Sequence, residues 1–136
     1  MRAVLDANVL VSALLTGTGT PGQILARWFD GEYELVVSPH LLYDLARTLQ
    51  SPKFRGRFDP DEPAAFVVLL RERATIAADP EVAPPRAPDP DDDYLLALAE
   101  SERAVLVSGD QHLLGRAAKY PIFTPRDFLR TLESES

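Results

Sequence analysis

The chain opens with an apolar run, Ala3 to Leu5, long enough for one buried strand and too short for a helix. It stops at Asp6, and apolar positions resume at Val9, Leu10, Ala13 and Leu14 with helical spacing. Strand, carboxylate, polar turn, helix: that order predicts Asp6 at the carboxyl end of the first strand. The alternation then repeats. Thr20-Pro21 predicts a helix with Thr20 as N-cap, an apolar stripe of Ile24, Leu25, Trp28 and Phe29, and an end at Gly31. Glu34 to Val37 predicts a second strand. Ser38-Pro39 starts a third helix by the same cap logic, with Leu41, Leu42, Leu45 and Leu49 inward. Asp44 lies on the flank of this stripe, from which a carboxylate can reach a cleft.

Ser51 to Asp59 is a basic, turn-rich connection carrying Lys53, Arg55 and Arg57. Asp59-Pro60 predicts the cap of a helix through Phe66, Val67, Leu69 and Leu70, and Thr75 to Ala78 a short strand. The four prolines between Asp79 and Pro88 make that stretch an extended connector. Asp89-Pro90 opens another helix, with Leu95, Leu96 and Ala99 as its apolar face. Ala104 to Val107 is a strand running into Ser108-Gly109-Asp110 and a helix with Leu113 and Leu114. Ile122-Phe123 predicts a last, edge strand. Thr124-Pro125 then caps a terminal helix with Phe128, Leu129 and Leu132, leaving a few disordered residues at the end. Strands alternate with helices throughout, so the fold class is α/β, with a mainly parallel sheet and helices on both faces. Residues 1–136 make one domain with no internal repeat.

Composition changes this picture in three ways. No run approaches the ~20 apolar residues of a membrane span and no leader with a cleavage site opens the chain, so the expectation is no membrane. The absence of cysteine excludes disulfides and thiolate metal sites, and fits a cytoplasmic protein. A formal charge of −7 argues against broad attraction to nucleic acid, which normally wants a basic face. Acids gathered around one cation would account for part of that excess.

The acids do gather. Asp6 and Asp110 each follow a strand of the predicted parallel sheet, so both belong to one edge. Asp92, Leu95, Leu96 and Ala99 fall at i, i+3, i+4 and i+7, which turns Asp92 inward, with Asp93 about 100° round from it. Singly, each acid has an ordinary explanation: a turn former after a strand, a solvated helix residue in the case of Asp44, or a first-turn acid placed for the helix dipole. Jointly they bring like charges together, which raises their pKa values unless a cation intervenes. Oxygen-only ligands suit Mg²⁺ or Mn²⁺, and a carboxylate-held ion with water left on it suits phosphodiester hydrolysis. His40 and His112, at helix starts, are expected in solvent. Ser12 and Ser108 have no base beside them in sequence, which argues against a serine nucleophile.

The ordered set of four segments resembles the PIN domain, and within it the bacterial toxins of toxin–antitoxin systems related to VapC-type ribonucleases. The segments are Val4-Leu5-Asp6-Ala7-Asn8-Val9-Leu10-Val11, Val37-Ser38-Pro39-His40-Leu41-Leu42-Tyr43-Asp44-Leu45, Asp89-Pro90-Asp91-Asp92-Asp93-Tyr94-Leu95-Leu96-Ala97-Leu98-Ala99, and Leu106-Val107-Ser108-Gly109-Asp110. The resemblance implies a three-layer α/β/α sandwich, metal-dependent cleavage of RNA with Mg²⁺ or Mn²⁺, and a cognate antitoxin as partner. It carries catalytic roles to Asp6, Asn8, Asp44, Asp92, Ser108 and Asp110, and metal ligation to Asp6, Asp92 and Asp110, with Asp93 as alternate to Asp92. Asp44 stands where the family usually has Glu, so water-mediated contact fits its shorter side chain. Family members often dimerise, and Trp28, Phe29, Tyr33 and the Leu-rich helix offer apolar surface for a homodimer. Two rivals remain. An aspartyl-nucleophile phosphatase also begins with a strand ending in Asp but wants a second Asp where Asn8 stands. A catalytically weakened PIN-like module would bind RNA or protein without cutting.

Overall fold

The computed structural model describes residues 1–81, 93–115 and 120–135, the side chains of Asp93 and His112 apart. Five strands form: β1 (Arg2–Leu5), β2 (Glu34–Val37), β3 (Thr75–Ile76), β4 (Val105–Val107) and β5 (Ile122–Phe123). They lie side by side in the order β3-β2-β1-β4-β5, and every pairing is parallel. Ala3 registers with Leu35 on one side and with Val105 on the other, and Leu5 with Val107. Ala3, Val4, Leu5, Leu35, Val36, Val37 and Val107 are all fully buried, as strands covered on both faces require.

The helices are α1 (Ala7–Thr16), α2 (Thr20–Phe29), α3 (Pro39–Leu49), α4 (Glu62–Arg73), α5 (Asp93–Ser101), α6 (Gln111–Leu114) and α7 (Pro125–Glu135), with a 3-10 turn at Pro52–Phe54. Helix α1 packs against α2 and α3, α3 against α4, and α2 against α7, while α5 lies on β1 and β4. Right-handed crossovers explain the division. The chain steps from β1 to β2 to β3 in one direction, then crosses β1 and builds β4 and β5 in the other, which moves α5 to the opposite face. The result is the expected α/β/α sandwich. The reversal at β1 also makes a topological switch point at the carboxyl ends of β1 and β4, the place where ligands of open α/β sheets bind.

Local sequence accounts for most element boundaries. The Ser38 hydroxyl accepts the Leu41 amide (3.2 Å) and caps α3, and the Thr124 hydroxyl accepts the Asp127 amide (3.1 Å) and caps α7. Gly31, at φ 78°, ends α2 in a conformation that other residues adopt at a cost. A Cβ on Gly22 would lie 2.3 Å from the Gly17 carbonyl oxygen, so the first turn of α2 can meet the end of α1 only with glycine there.

Four expectations need correction. Thr20 is the first residue of α2 and Gly19 its cap, with no side-chain bond, so Pro21 falls one position later than predicted. Helix α4 starts at Glu62, because Asp59 takes part in a preceding turn in which its carbonyl accepts the Glu62 amide (3.0 Å). The tail expected to be disordered continues α7 through Glu135. Tyr33 offers no surface for association. It is buried edge-on to Phe128 (centroids 5.1 Å apart), its hydroxyl donates to the Ile24 carbonyl (3.0 Å), and burial pushes its pKa up. The leucines of α3 are likewise covered within the chain, and the large apolar side chains left exposed include Phe29, Tyr43, Val68 and Ile76.

Among the described residues no single helix is long and apolar enough to cross a membrane. The pair α1 and α2 is apolar enough together, but bends by 93° and buries Val9, Leu10, Val11, Ile24 and Leu25 in the core.

Candidate metal centre

Asp6 follows β1 directly and is the N-cap of α1. Its Oδ1 accepts the Val9 amide at 2.8 Å, so the carboxylate faces the positive end of the helix. Its Oδ2 accepts the Ser108 hydroxyl from the end of β4, the strand adjacent to β1. Asp6 is 5% exposed and Ser108 0%. Burial is the main cause of a raised Asp6 pKa, and the bonds from Ser108 and the Val9 and Asn8 amides oppose it. The negative charge of Asp110 pushes it up further, so these two carboxylates sense one another across the end of the sheet. The Ser108 oxygen in turn accepts the Asp110 amide at 3.0 Å. One buried hydroxyl thus sits between the carboxylate of Asp6 and the backbone of Asp110.

Of the residues singled out from sequence, Asp6, Ser108 and Asp110 come together here. Asn8 is exposed in the first turn of α1, and its backbone amide points to Asp6. Asp92 lies outside the described residues, as does the side chain of Asp93. Among the described residues no three His, Cys, Asp or Glu side chains cluster, so Asp44 does not join Asp6 and Asp110. Asp44 is instead occupied on both oxygens: Oδ1 accepts Arg47 at 3.0 Å and Oδ2 the Tyr94 hydroxyl at 2.7 Å.

That last contact brings in a residue without a role assigned from sequence. Tyr94, 4% exposed in the first turn of α5, lies face to face with the His40 ring, with centroids 3.7 Å apart and planes 15° from parallel. His40 is exposed, as expected, and its amide donates to Asp79 Oδ2 at 2.9 Å. One signal for Tyr94 was available: a tyrosine on an otherwise apolar helix face needs a hydroxyl partner once buried. The partner's identity was not, because Asp44 is fifty positions away.

The donor set fits a hard divalent cation. Asp6 and Asp110 offer only oxygen, and a buried carboxylate beside a second negative charge is the electrostatic situation a cation relieves.

Comparison with known proteins agrees with the fold. A PIN domain family model matches residues 2–112. The uncharacterized protein MJ1680 of Methanocaldococcus jannaschii is 24% identical over 98% of this chain and 92% of its own length. Among solved structures, PAE2754 from Pyrobaculum aerophilum superposes with a TM-score of 0.70 at 17% identity, covering 98% of this chain and 90% of that one. A chain of VapBC-1 from nontypeable Haemophilus influenzae gives 0.62 at 17% identity, covering 93% of this chain and 99% of that one. A chain of VapBC2 from Rickettsia felis, bound to a DNA fragment from their promoter, gives 0.59 at 14% identity, covering 90% and 97%. The match over most of its length shows that this chain belongs to the PIN domain family.

Proposed function

We propose that this protein is a metal-dependent ribonuclease that hydrolyses RNA phosphodiester bonds, and the toxin of a toxin–antitoxin pair in the cytoplasm. PIN domains are generally nucleases, and the observation that carries the reading is the buried Asp6 carboxylate sharing the switch-point edge of the sheet with Asp110. Asp6, Asp110 and Asp92, with Asp93 as alternate, would hold the ion. A bound Mg²⁺ or Mn²⁺ supplies an activated water and positive charge for the scissile phosphate. Ser108 fixes the Asp6 carboxylate in one orientation, so little reorganisation is needed when the ion arrives. Asn8, on the exposed first turn of α1, orients a water or a phosphate oxygen. Asp44 works as a positioning residue that braces Tyr94 at the start of α5, next to Asp92 and Asp93. Fold similarity to chains of VapBC complexes supports a cognate antitoxin as partner. Exposed Tyr43, Val68 and Ile76 support self-association as a homodimer.

The occupation of both Asp44 oxygens within the protein favours a second reading, a weakened PIN module that binds RNA or a protein without cutting. Incubation with single-stranded RNA in Mn²⁺ separates the two. The nuclease reading expects cleavage by the wild-type protein and none by Asp6→Asn. Binding without cleavage in Mg²⁺ and Mn²⁺ would overturn it in favour of the second.

A further inference from the structure

We infer that His40, backed by Tyr94, is a stacking platform for an unpaired nucleobase of the RNA substrate. The inference rests on the ribonuclease reading and adds to it a binding residue that contacts the base and not the phosphate. One face of the His40 ring is covered by the buried Tyr94, while His40 itself is an exposed residue. The pair is braced from behind. The Tyr94 hydroxyl is fixed by Asp44, and the His40 backbone is fixed by Asp79. A braced ring loses little freedom when a base lands on it.

Position and charge point the same way. His40 lies in the first turn of α3, just past the carboxyl end of β2, and Asp6 just past the carboxyl end of the adjacent β1. Neighbouring strands are about 4.8 Å apart. His40 and Asp6 thus follow neighbouring strands at one edge of the sheet, which puts His40 within reach of a nucleotide flanking a phosphate held at Asp6. The chain carries a formal charge of −7, which argues against broad electrostatic attraction of phosphates. Stacking is the sequence-tolerant alternative, and it requires unpaired bases.

The test measures steady-state cleavage in Mn²⁺ and the binding anisotropy of a short fluorescein-labelled single-stranded RNA, for the wild type, His40→Ala, His40→Phe and His40→Gln. Loss of one base–aromatic stack should raise KM and Kd about ten-fold in His40→Ala and His40→Gln. The rate at saturating RNA should hold, and His40→Phe should restore affinity. An RNA of the same sequence with abasic positions should bind wild type and His40→Ala alike. Cleavage by the wild type with an unchanged KM in His40→Ala would overturn the platform and leave the nuclease standing. So would a His40→Phe protein as weak as His40→Ala, or a loss confined to kcat. If the wild type neither binds nor cuts any single-stranded RNA, the ribonuclease reading fails and takes the platform with it.

Discussion

The Ser108 hydroxyl donates to the Asp6 carboxylate across the gap between two adjacent parallel strands, and the same oxygen accepts the Asp110 amide. Ser108 is fully buried, so Ser108→Ala leaves a carboxylate oxygen and a backbone N–H each short of a partner where water is scarce. Such a loss costs about 1–3 kcal/mol. Urea unfolding in EDTA should show the midpoint lowered with the slope unchanged. An unchanged midpoint would mean that this hydroxyl does not organise the site.

Asp6 makes the apo site sensitive to pH. Burial raises its folded pKa above the ordinary aspartate value of 3.8, so the folded protein holds this proton to a higher pH than the unfolded chain does. Stability from this group is therefore lost as pH rises from 3.8 through the folded pKa, and stays lost above it. Asparagine keeps the shape without the charge. Asp6→Asn should melt at a higher temperature than wild type in EDTA at pH 7, with the gain shrinking as pH falls toward 3.8, and should have no RNA cleavage. A mutant less stable than wild type at pH 7 would show that the carboxylate's bonds to Ser108 and Val9 outweigh its desolvation.

The Asp6 end of this arrangement was legible from sequence, and the Tyr94 end was not. A short apolar run before Asp6, helical spacing after it, and the Ser38 and Thr124 caps are local signals, and each produced the element it predicts. Parallel topology then brings Asp6 and Asp110 to one edge without any side-chain detail. Boundaries failed where two caps competed within a few residues, as with Gly19 against Thr20 and Asp59 against Asp61. Tyr33 belongs to the core and not to the surface because its partner Phe128 lies on the last helix, and the local pattern around Tyr33 carries no information about that helix. Asp44 and Tyr94 meet for the same kind of reason: α4 and β3 lie between helices α3 and α5 in the chain, and only the assembled fold brings the two side chains together.

The Tyr94–Asp44 contact can be measured directly. A double-mutant cycle of Tyr94→Phe and Asp44→Ala, each of which removes the contact, should give a coupling of about 1–2 kcal/mol, typical of a partly shielded hydrogen bond to a charged group. Asp44→Asn, which keeps an acceptor for Tyr94, should retain Mn²⁺ affinity and most of the cleavage rate. A metal affinity lost in Asp44→Asn would assign Asp44 to the ion instead of to Tyr94.

The central claim is that carboxylates at the carboxyl edge of the sheet cut RNA by metal-assisted hydrolysis. No cysteine is available as a nucleophile, and Ser108, although bonded to a carboxylate, is fully buried and out of a substrate's reach. Mass spectrometry of the ends produced from single-stranded RNA in Mn²⁺ tests this most directly. The account predicts 5′-phosphate and 3′-hydroxyl ends, with the same cut made when the 2′-hydroxyl at that position is removed and no cut made in EDTA. A 2′,3′-cyclic phosphate, or cutting that persists in EDTA, would contradict it.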